Sequence, residues 1–181
     1  MHVIAGKAKG RKLLAVPGDG TRPILNRVKT ALFDTLRPTL ADTIFLDLFA
    51  GTGQIGIEAL SQGAAYCTFT EMNHKACEII KKNLETTKLI AQAEIHRIDA
   101  FRYLRTTEKT FDIIYVAPPQ YKELWLKALS EVDAKPTLLN PDGELVIQID
   151  PREYKPLNCS NFAESRQKRY GNTLILYIKR L

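Results

Sequence analysis

The 181-residue chain has no long apolar run; none of its hydrophobic stretches approaches the roughly 20 residues that a membrane-crossing helix requires. Its start, Met1-His2-Val3-Ile4-Ala5-Gly6-Lys7, lacks the apolar core of a secretory signal, so the expected location is cytoplasmic. Cysteine is scarce. Cys67, Cys77 and Cys159 are an odd number at spacings that match neither a metal ribbon nor a redox pair, and with only His2, His74 and His96 to help, no metal is expected. Buried, reduced thiols are the simplest reading of Cys67 in a strand and Cys77 in a helix. No internal repeat or low-complexity segment is visible. Acid is what the two ends lack. Residues 1–30 hold seven Lys/Arg and one acid and residues 164–181 hold five and one, whereas the stretch between holds fourteen basic and eighteen acidic residues. The net charge of +6 is therefore concentrated at the ends, where it attracts phosphate backbones through steering and counterion release. A solvated face that only keeps the protein soluble is the simpler alternative.

A hydrophobic fraction of 45% and a charged fraction of 25% are those of an ordinary globular protein. At this length one core buries roughly 70% of the unfolded surface, so one main domain is expected, working as a monomer. Residues 1–20 read as a basic N-terminal hairpin extension and residues 21–181 as the domain. Lys7, Lys9, Arg11 and Lys12 lie between Val3-Ile4 and Leu13-Leu14, which suits a small hairpin with Gly6 or Gly10 in its turn, appended to the rest. Pro17-Gly18-Asp19-Gly20 is a link. Thr21-Arg22-Pro23 then leads into a helix from about Asn26 to Leu36, with Val28, Ala31, Leu32, Thr35 and Leu36 on one face, Arg27 and Lys29 off it, and Pro38 as its end.

The chain is organised around Thr43 to Gly56. Ile44 to Leu48 is almost continuously apolar, as a strand buried on both faces of a parallel sheet would be. Gly51, Gly53 and Gly56 follow at once, letting the backbone press against a ligand before a helix from Gln54 to Ser61. Gly51-x-Gly53-x-x-Gly56 with Glu71 about twenty residues on is formally the dinucleotide fingerprint. Asp47 pulls the reading elsewhere. It is an ionisable residue at the end of an apolar strand, where a bound positive group would explain it. S-adenosylmethionine carries an ammonium and a sulfonium; NAD has nothing cationic to place there except its nicotinamide. The plainer role for Asp47 is to cap the loop by accepting its N–H groups.

Tyr66 to Thr70 forms a second strand ending in Glu71, whose carboxylate can accept both ribose hydroxyls of either cofactor. Ala76, Ile79, Ile80, Asn83 and Leu84 recur at helical spacing, and Ala93 to Arg97 form a third strand that leads to Asp99-Ala100. Asp99 is either an acceptor for an adenine amino group or the N-cap of the next helix. Phe111 to Val116 is a fourth buried strand that runs into Ala117-Pro118-Pro119-Gln120-Tyr121. Two prolines after a core strand either fix a rigid rim at the carboxyl edge, where ligands of open α/β sheets bind, or simply terminate the strand. A helix spans Glu123 to Val132, Asn140 to Gly143 is a turn, and Glu144 to Asp150 is a fifth strand. Glu164 to Tyr170 and Thr173 to Lys179 alternate with period two about Gly171-Asn172, as an antiparallel hairpin does.

Over nearly its whole length the sequence resembles the bacterial small-subunit ribosomal RNA guanine-N2 methyltransferases that depend on S-adenosylmethionine. The resemblance lies in Val3 to Gly6, Lys9 to Leu13, Thr21-Arg22-Pro23, Arg27 to Phe33, Leu46 to Gly53 with Gly56 and Glu58-Ala59-Leu60, Glu71, Asp99-Ala100 and Tyr170 to Thr173. It implies a Rossmann-like class I methyltransferase, α/β with a mostly parallel seven-stranded sheet ending in the antiparallel hairpin. It implies cofactor contacts at Asp47, Phe49, Ala50, Gly51, Thr52, Gly53, Glu71, Met72, Asp99 and Ala100. It places RNA on Lys7, Lys9, Arg11, Lys12, Arg22 and Arg27, with ribosomal RNA or the small subunit as partner. Two elements depart from the pattern. The loop after the fourth strand has Ala117 and Gln120 where the family has Asp or Asn and an aromatic around two prolines, and Ile24-Leu25-Asn26 replaces the polar pair after Thr-Arg-Pro.

The loop bears on mechanism, because transfer to an exocyclic amine is helped by acceptors for its two hydrogens and by a ring that stacks on the base. Ala117, Pro118, Pro119 and Tyr121 are the candidate catalytic positions. Ala117 offers no side-chain acceptor, the Pro118 carbonyl remains, and Tyr121 stands one residue late for the ring. The leading expectation is methyl transfer to a base nitrogen of ribosomal RNA, guanine N2. A catalytically weakened or inactive RNA-binding homologue acting in ribosome assembly comes second, and an NAD-dependent oxidoreductase third.

Overall fold

A computed structural model describes residues 1–17 and 24–181. The link at Gly18 to Gly20, the Thr21-Arg22-Pro23 element with its RNA-binding candidate Arg22, and the boundary drawn at residue 20 lie outside the described residues. Seven strands form one sheet: β1 (Ile44–Asp47), β2 (Tyr66–Glu71), β3 (Ala93–Arg97), β4 (Phe111–Val116), β5 (Leu139–Ile149), β6 (Phe162–Tyr170) and β7 (Thr173–Arg180), in the order β3-β2-β1-β4-β5-β7-β6. The first five run parallel, and β7 pairs antiparallel with both β5 and β6. The order reverses between β1 and β4, and ligands of such sheets sit beyond the carboxyl ends at that switch point.

Alternate residues of the central strands feed two cores. Phe45, Phe69, Ile113, Val146 and Ile175 pack with α1 (Asn26–Leu40), α2 (Gln54–Ser61) and α3 (His74–Thr87). Leu46, Ile114, Leu145, Ile147 and Leu176 pack with α4 (Ala100–Thr106) and α5 (Leu124–Ala134) on the other face. Burial on both faces is why β1 and β4 read as apolar runs rather than as alternating patterns.

Several expectations are corrected. Helix α1 does not end at Leu36 but carries Pro38 inside it and runs to Leu40. A proline so near the end forfeits one hydrogen bond, about 1 kcal/mol, while burying Leu40 to 1% exposure returns about 1.5–3 kcal/mol. Lys29, read as lying off the buried face, is fully buried and pairs with the equally buried Glu58 at 3.1 Å. Asn140 to Gly143 is not a turn before β5 but a bulge within it, where the register steps from Phe111↔Leu139 to Ile113↔Glu144. The Asn140 amide donates to Asp112 across this irregularity, at 2.6 Å. Cys67 is buried as expected, but Cys77 is only half-buried.

Residues 1–17, expected as an appendage, are laced into the core. The hairpin is a single antiparallel bridge, His2↔Lys12, closed by Val3 N–H to the Arg11 carbonyl and Gly10 N–H to the Val3 carbonyl. Val3, Ala8 and Leu13 are buried with α1 and α2. Glu58 accepts the N–H groups of Ile4 and Ala5, and the Lys29 ammonium donates to the His2 carbonyl.

Candidate active site

The glycine loop joins β1 to α2 through two left-handed residues, Gly51 at φ +55° and Gly53 at φ +77°. A Cβ on Gly51 would meet nothing within 4 Å, so the backbone at Gly51 is open to a ligand, whereas one on Gly53 would meet Ile80 at 3.2 Å. Gly56 has a different reason. A Cβ there would lie 2.3 Å from the Phe69 ring, so the third glycine lets α2 seat on β2.

Three carboxylates stand at the ends of β1, β2 and β3 around this loop. Asp47 is 2% exposed and accepts the Gly56 N–H through Oδ2 at 3.0 Å. Burial pushes its pKa up to about 7; the Gly56 hydrogen bond opposes that, and the Glu71 charge adds to it. The capping role anticipated for Asp47 is thus present, but one N–H does not offset the desolvation. Glu71 accepts the Gly51 N–H through Oε2 at 3.0 Å and the Asn73 N–H through Oε1 at 2.8 Å, tying the loop to the end of β2. Asp99 accepts the Arg102 N–H at 2.9 Å and is the N-cap of α4, as the plainer reading of it held. Ala50 and Ala100 are buried nearby, and Phe49 meets Phe101 edge-on with centroids 5.9 Å apart. Thr52 is half-buried in the loop, and Met72, just past Glu71, is exposed.

The loop after β4 shares this edge. Asp47 pairs in register with Tyr115, so Ala117 follows two residues beyond the aspartate's neighbour. Ala117 is half-buried, Pro118 buried and Pro119 exposed. Tyr121 adopts φ +61° and is held by the end of β5. Its hydroxyl donates to Asp150 Oδ2 at 2.7 Å, its N–H donates to Glu153 at 2.7 Å, and the Arg152 guanidinium lies 5.4 Å from its ring centroid. The hydrogen bonds from Arg152 hold the Asp150 carboxyl well below the usual range, and the bond to Asp150 pushes the Tyr121 phenol up.

Asp150, Arg152 and Glu153 were not anticipated at the site, and neither was Asn83. The Asn83 side chain is fully buried, accepts the Leu14 N–H at 2.7 Å, and donates to the carbonyls of Leu14 and Thr52 at 3.1 and 3.0 Å. A polar residue among the apolar positions of α3 was the available signal.

The basic candidates are divided. Lys7 N–H bonds the Ser61 carbonyl at 2.8 Å and Ala8 N–H bonds Ser61 Oγ at 2.9 Å, so the hairpin tip with Lys7 and Lys9 sits at the carboxyl end of α2. That is about 12 Å along the eight-residue helix from the glycine loop. The hairpin's ends return toward the crevice: the Thr52 hydroxyl reaches Met1 sulfur at 3.7 Å, and Arg11 and Lys12 lie on the returning strand. Arg27 opens α1 beside the β6–β7 turn, its Nη2 3.7 Å from where a Cβ on Gly171 would stand. Among the described residues no His/Cys/Asp/Glu cluster could hold a metal, and no helix is long and apolar enough to cross a membrane.

The family described as Conserved hypothetical protein 95 matches residues 1–179. YlbH of Bacillus subtilis (strain 168), provisionally named an rRNA methyltransferase, is 39% identical over 99% of this chain and 100% of its own length. Ribosomal RNA small subunit methyltransferase D of Escherichia coli (strain K12) is 37% identical over 94% of this chain and 85% of its own. Among solved structures, yhhF from Escherichia coli, provisionally described as a methyltransferase, superposes with a TM-score of 0.89 at 29% identity, covering 99% of this chain and 97% of that one. The mostly parallel seven-stranded sheet with its antiparallel hairpin is thus a methyltransferase fold, and the chain belongs to the Conserved hypothetical protein 95 family as a homologue of ribosomal RNA small subunit methyltransferase D.

Proposed function

We propose that the protein transfers a methyl group from S-adenosylmethionine to an exocyclic base nitrogen of small-subunit ribosomal RNA, with guanine N2 as the target atom. The observation that carries this reading is the row of Asp47, Glu71 and Asp99 at three successive strand ends around an open, left-handed glycine loop. These residues fit the cofactor. A positive group set against Asp47 offsets the desolvation that raises its pKa. Glu71 holds the ribose hydroxyls, Asp99 receives the adenine amino group, and exposed Met72 offers the base an apolar side. Phe49, Ala50, Thr52 and Ala100 shape the same crevice. Bound there, the cofactor supplies an electrophilic methyl on its sulfonium.

The chain's own task is then to place the acceptor amine, which supplies much of the catalysis through proximity. The Pro118 carbonyl accepts one amine hydrogen. Pro118 and Pro119 keep that carbonyl rigid, and Ala117 leaves the second hydrogen without a side-chain partner. The Tyr121 ring, fixed through Asp150 and Glu153, stacks on the base in place of the aromatic absent at Gln120. Lys7, Lys9, Arg11, Lys12, Arg22 and Arg27 supply attraction for the phosphate backbone. The small-subunit RNA named for the relatives supports this substrate class.

The test is incubation with labelled S-adenosylmethionine and small subunits or ribosomal RNA lacking the modification, followed by nucleoside analysis. Label in N2-methylguanosine is the expected result. Label in another nucleoside overturns the choice of atom, and binding of RNA and cofactor without turnover assigns the chain to an inactive homologue.

A further inference from the structure

We infer that the corner where the amino end of α1 meets the β6–β7 turn is a further RNA-docking surface, on which Arg27, Lys168 and Arg169 hold the phosphate backbone beside the crevice. The inference rests on the RNA-methyltransferase reading above and names the surface that serves the same site. Strand direction places it. Strand β5 runs toward the carboxyl edge, and its antiparallel partner begins there with Ile149↔Leu174, so the turn at Gly171-Asn172 emerges at the edge that carries Asp47, Ala117 and Asp150. Arg27 reaches this turn from another element.

Lys168 and Arg169 are successive strand residues and so point to opposite faces of β6, straddling the tip. The Lys168 ammonium donates to Thr35 Oγ1 at 2.9 Å, about 12 Å along α1 from Arg27, so the basic surface runs from the turn along that helix. Arg169 Nε donates to the Gly171 carbonyl at 3.2 Å, and the residue lines a shallow concavity with Pro151, Tyr154, Gln167 and Leu174 just past the end of β5. Among the described residues no carboxylate pairs with Arg27, Lys168 or Arg169. Arg166, a little earlier on the same strand, differs: it pairs with Glu144 at 3.4 Å and lies over the Tyr177 ring.

The plainer explanation is that β6 is the sheet's edge strand, and edges carry Lys and Arg to discourage pairing with another chain. That accounts for Arg166 and Lys168 anywhere along the strand. It does not account for an arginine brought by α1 to the same tip. The tip of the N-terminal hairpin, with Lys7 and Lys9, cannot serve this place either, because it lies at the other end of α2.

The experiment compares three proteins for binding to a small-subunit RNA fragment across a salt series, and for methylation of that RNA. These are the wild type, the variant Arg27→Gln/Lys168→Gln/Arg169→Gln, and the control Lys81→Gln/Lys82→Gln/Lys88→Gln, which removes the same charge from exposed positions on and just after α3. Three lost phosphate contacts on a single strand reduce the slope of log affinity against log salt by about 2. The corner variant is expected to show that loss with a raised KM for RNA and unchanged S-adenosylhomocysteine affinity, while the control keeps the wild-type slope. An unchanged slope in the corner variant, or an equal loss in the control, overturns the inference while leaving the methyltransferase reading in place. A wild type that neither binds nor methylates RNA overturns both. Lys168→Gln and Arg169→Gln singly, each at an exposed position, give the same test at about a third of the slope change if the triple variant fails to fold.

Discussion

Asp47 carries a carboxylate that the fold alone does not favour in its charged form. Its pKa rises from 3.8 to about 7, and the sign of the consequence follows. A group whose folded pKa exceeds its unfolded one stabilises the fold below the unfolded value and loses that contribution as pH climbs through the folded one. The ligand-free protein is therefore expected to lose stability between about pH 4 and pH 7, by an amount on the order of 4 kcal/mol at full shift. Asp47→Asn should flatten that profile in a denaturant series run at several pH values and should abolish cofactor binding. A profile that stays unchanged in Asp47→Asn would show that other groups govern it.

On the proposed reading, Ala117 and Tyr121 decide the reaction at the same scale. If transfer runs with the Pro118 carbonyl as the amine's acceptor, Ala117→Asn supplies the second and should raise the single-turnover rate. One such acceptor is worth about 10²-fold to 10³-fold where it is well placed. Tyr121→Ala should lower the rate through the lost stack, and Asp150→Asn should lower it less by loosening the tyrosine's anchor. A slower Ala117→Asn enzyme would mean that the amide intrudes on a pocket fitted to another acceptor atom.

Among the elements, the N-terminal segment is held from two sides. Glu58 and Lys29 form a buried pair that also takes up backbone groups of residues 2, 4 and 5. Lys29→Met strands the Glu58 charge and should cost about 3–5 kcal/mol in chemical denaturation. On the other side, Asn83 bridges Leu14 to Thr52 of the glycine loop. Asn83→Ala leaves those buried backbone groups short of partners, at about 1–3 kcal/mol. It should also weaken S-adenosylhomocysteine binding, which loss of stability alone would not do. This lacing was not legible in the sequence, because Lys29 lies just off an apolar stripe and its partner is 29 residues away. The strands themselves were legible: β3 and β4 have the expected ends, β4 because a nearly continuous apolar run bounded by turn residues has few other solutions. The bulge in β5 was not, because Asn140-Pro141-Asp142-Gly143 carries turn chemistry that sheet pairing overrides.

For the molecule as a whole, the sequence disclosed the candidate cofactor edge better than the RNA face. Asp47, Glu71 and Asp99 each stand at or just past the end of a strand, so a parallel sheet brings them to one edge as soon as its order is assumed. The basic residues carry no such geometry. Lys7 and Lys9 are close in sequence to the loop-facing Met1 yet sit at the far end of α2, whereas Arg27 and Arg169, more than a hundred residues apart, flank one turn. The Asp150, Arg152 and Glu153 cluster stayed hidden for the same reason, since its partner Tyr121 lies on the preceding loop and only the β4–β5 pairing joins them.

On the proposed reading the strand-end carboxylates and the glycine loop form a binding site for S-adenosylmethionine. Titration calorimetry of the purified protein with S-adenosylhomocysteine and, separately, with NAD tests it most directly. Micromolar-scale binding of S-adenosylhomocysteine is expected, weakened by about 1.5–3 kcal/mol in Glu71→Ala, with no heat from NAD. Binding of NAD with none of S-adenosylhomocysteine would contradict it.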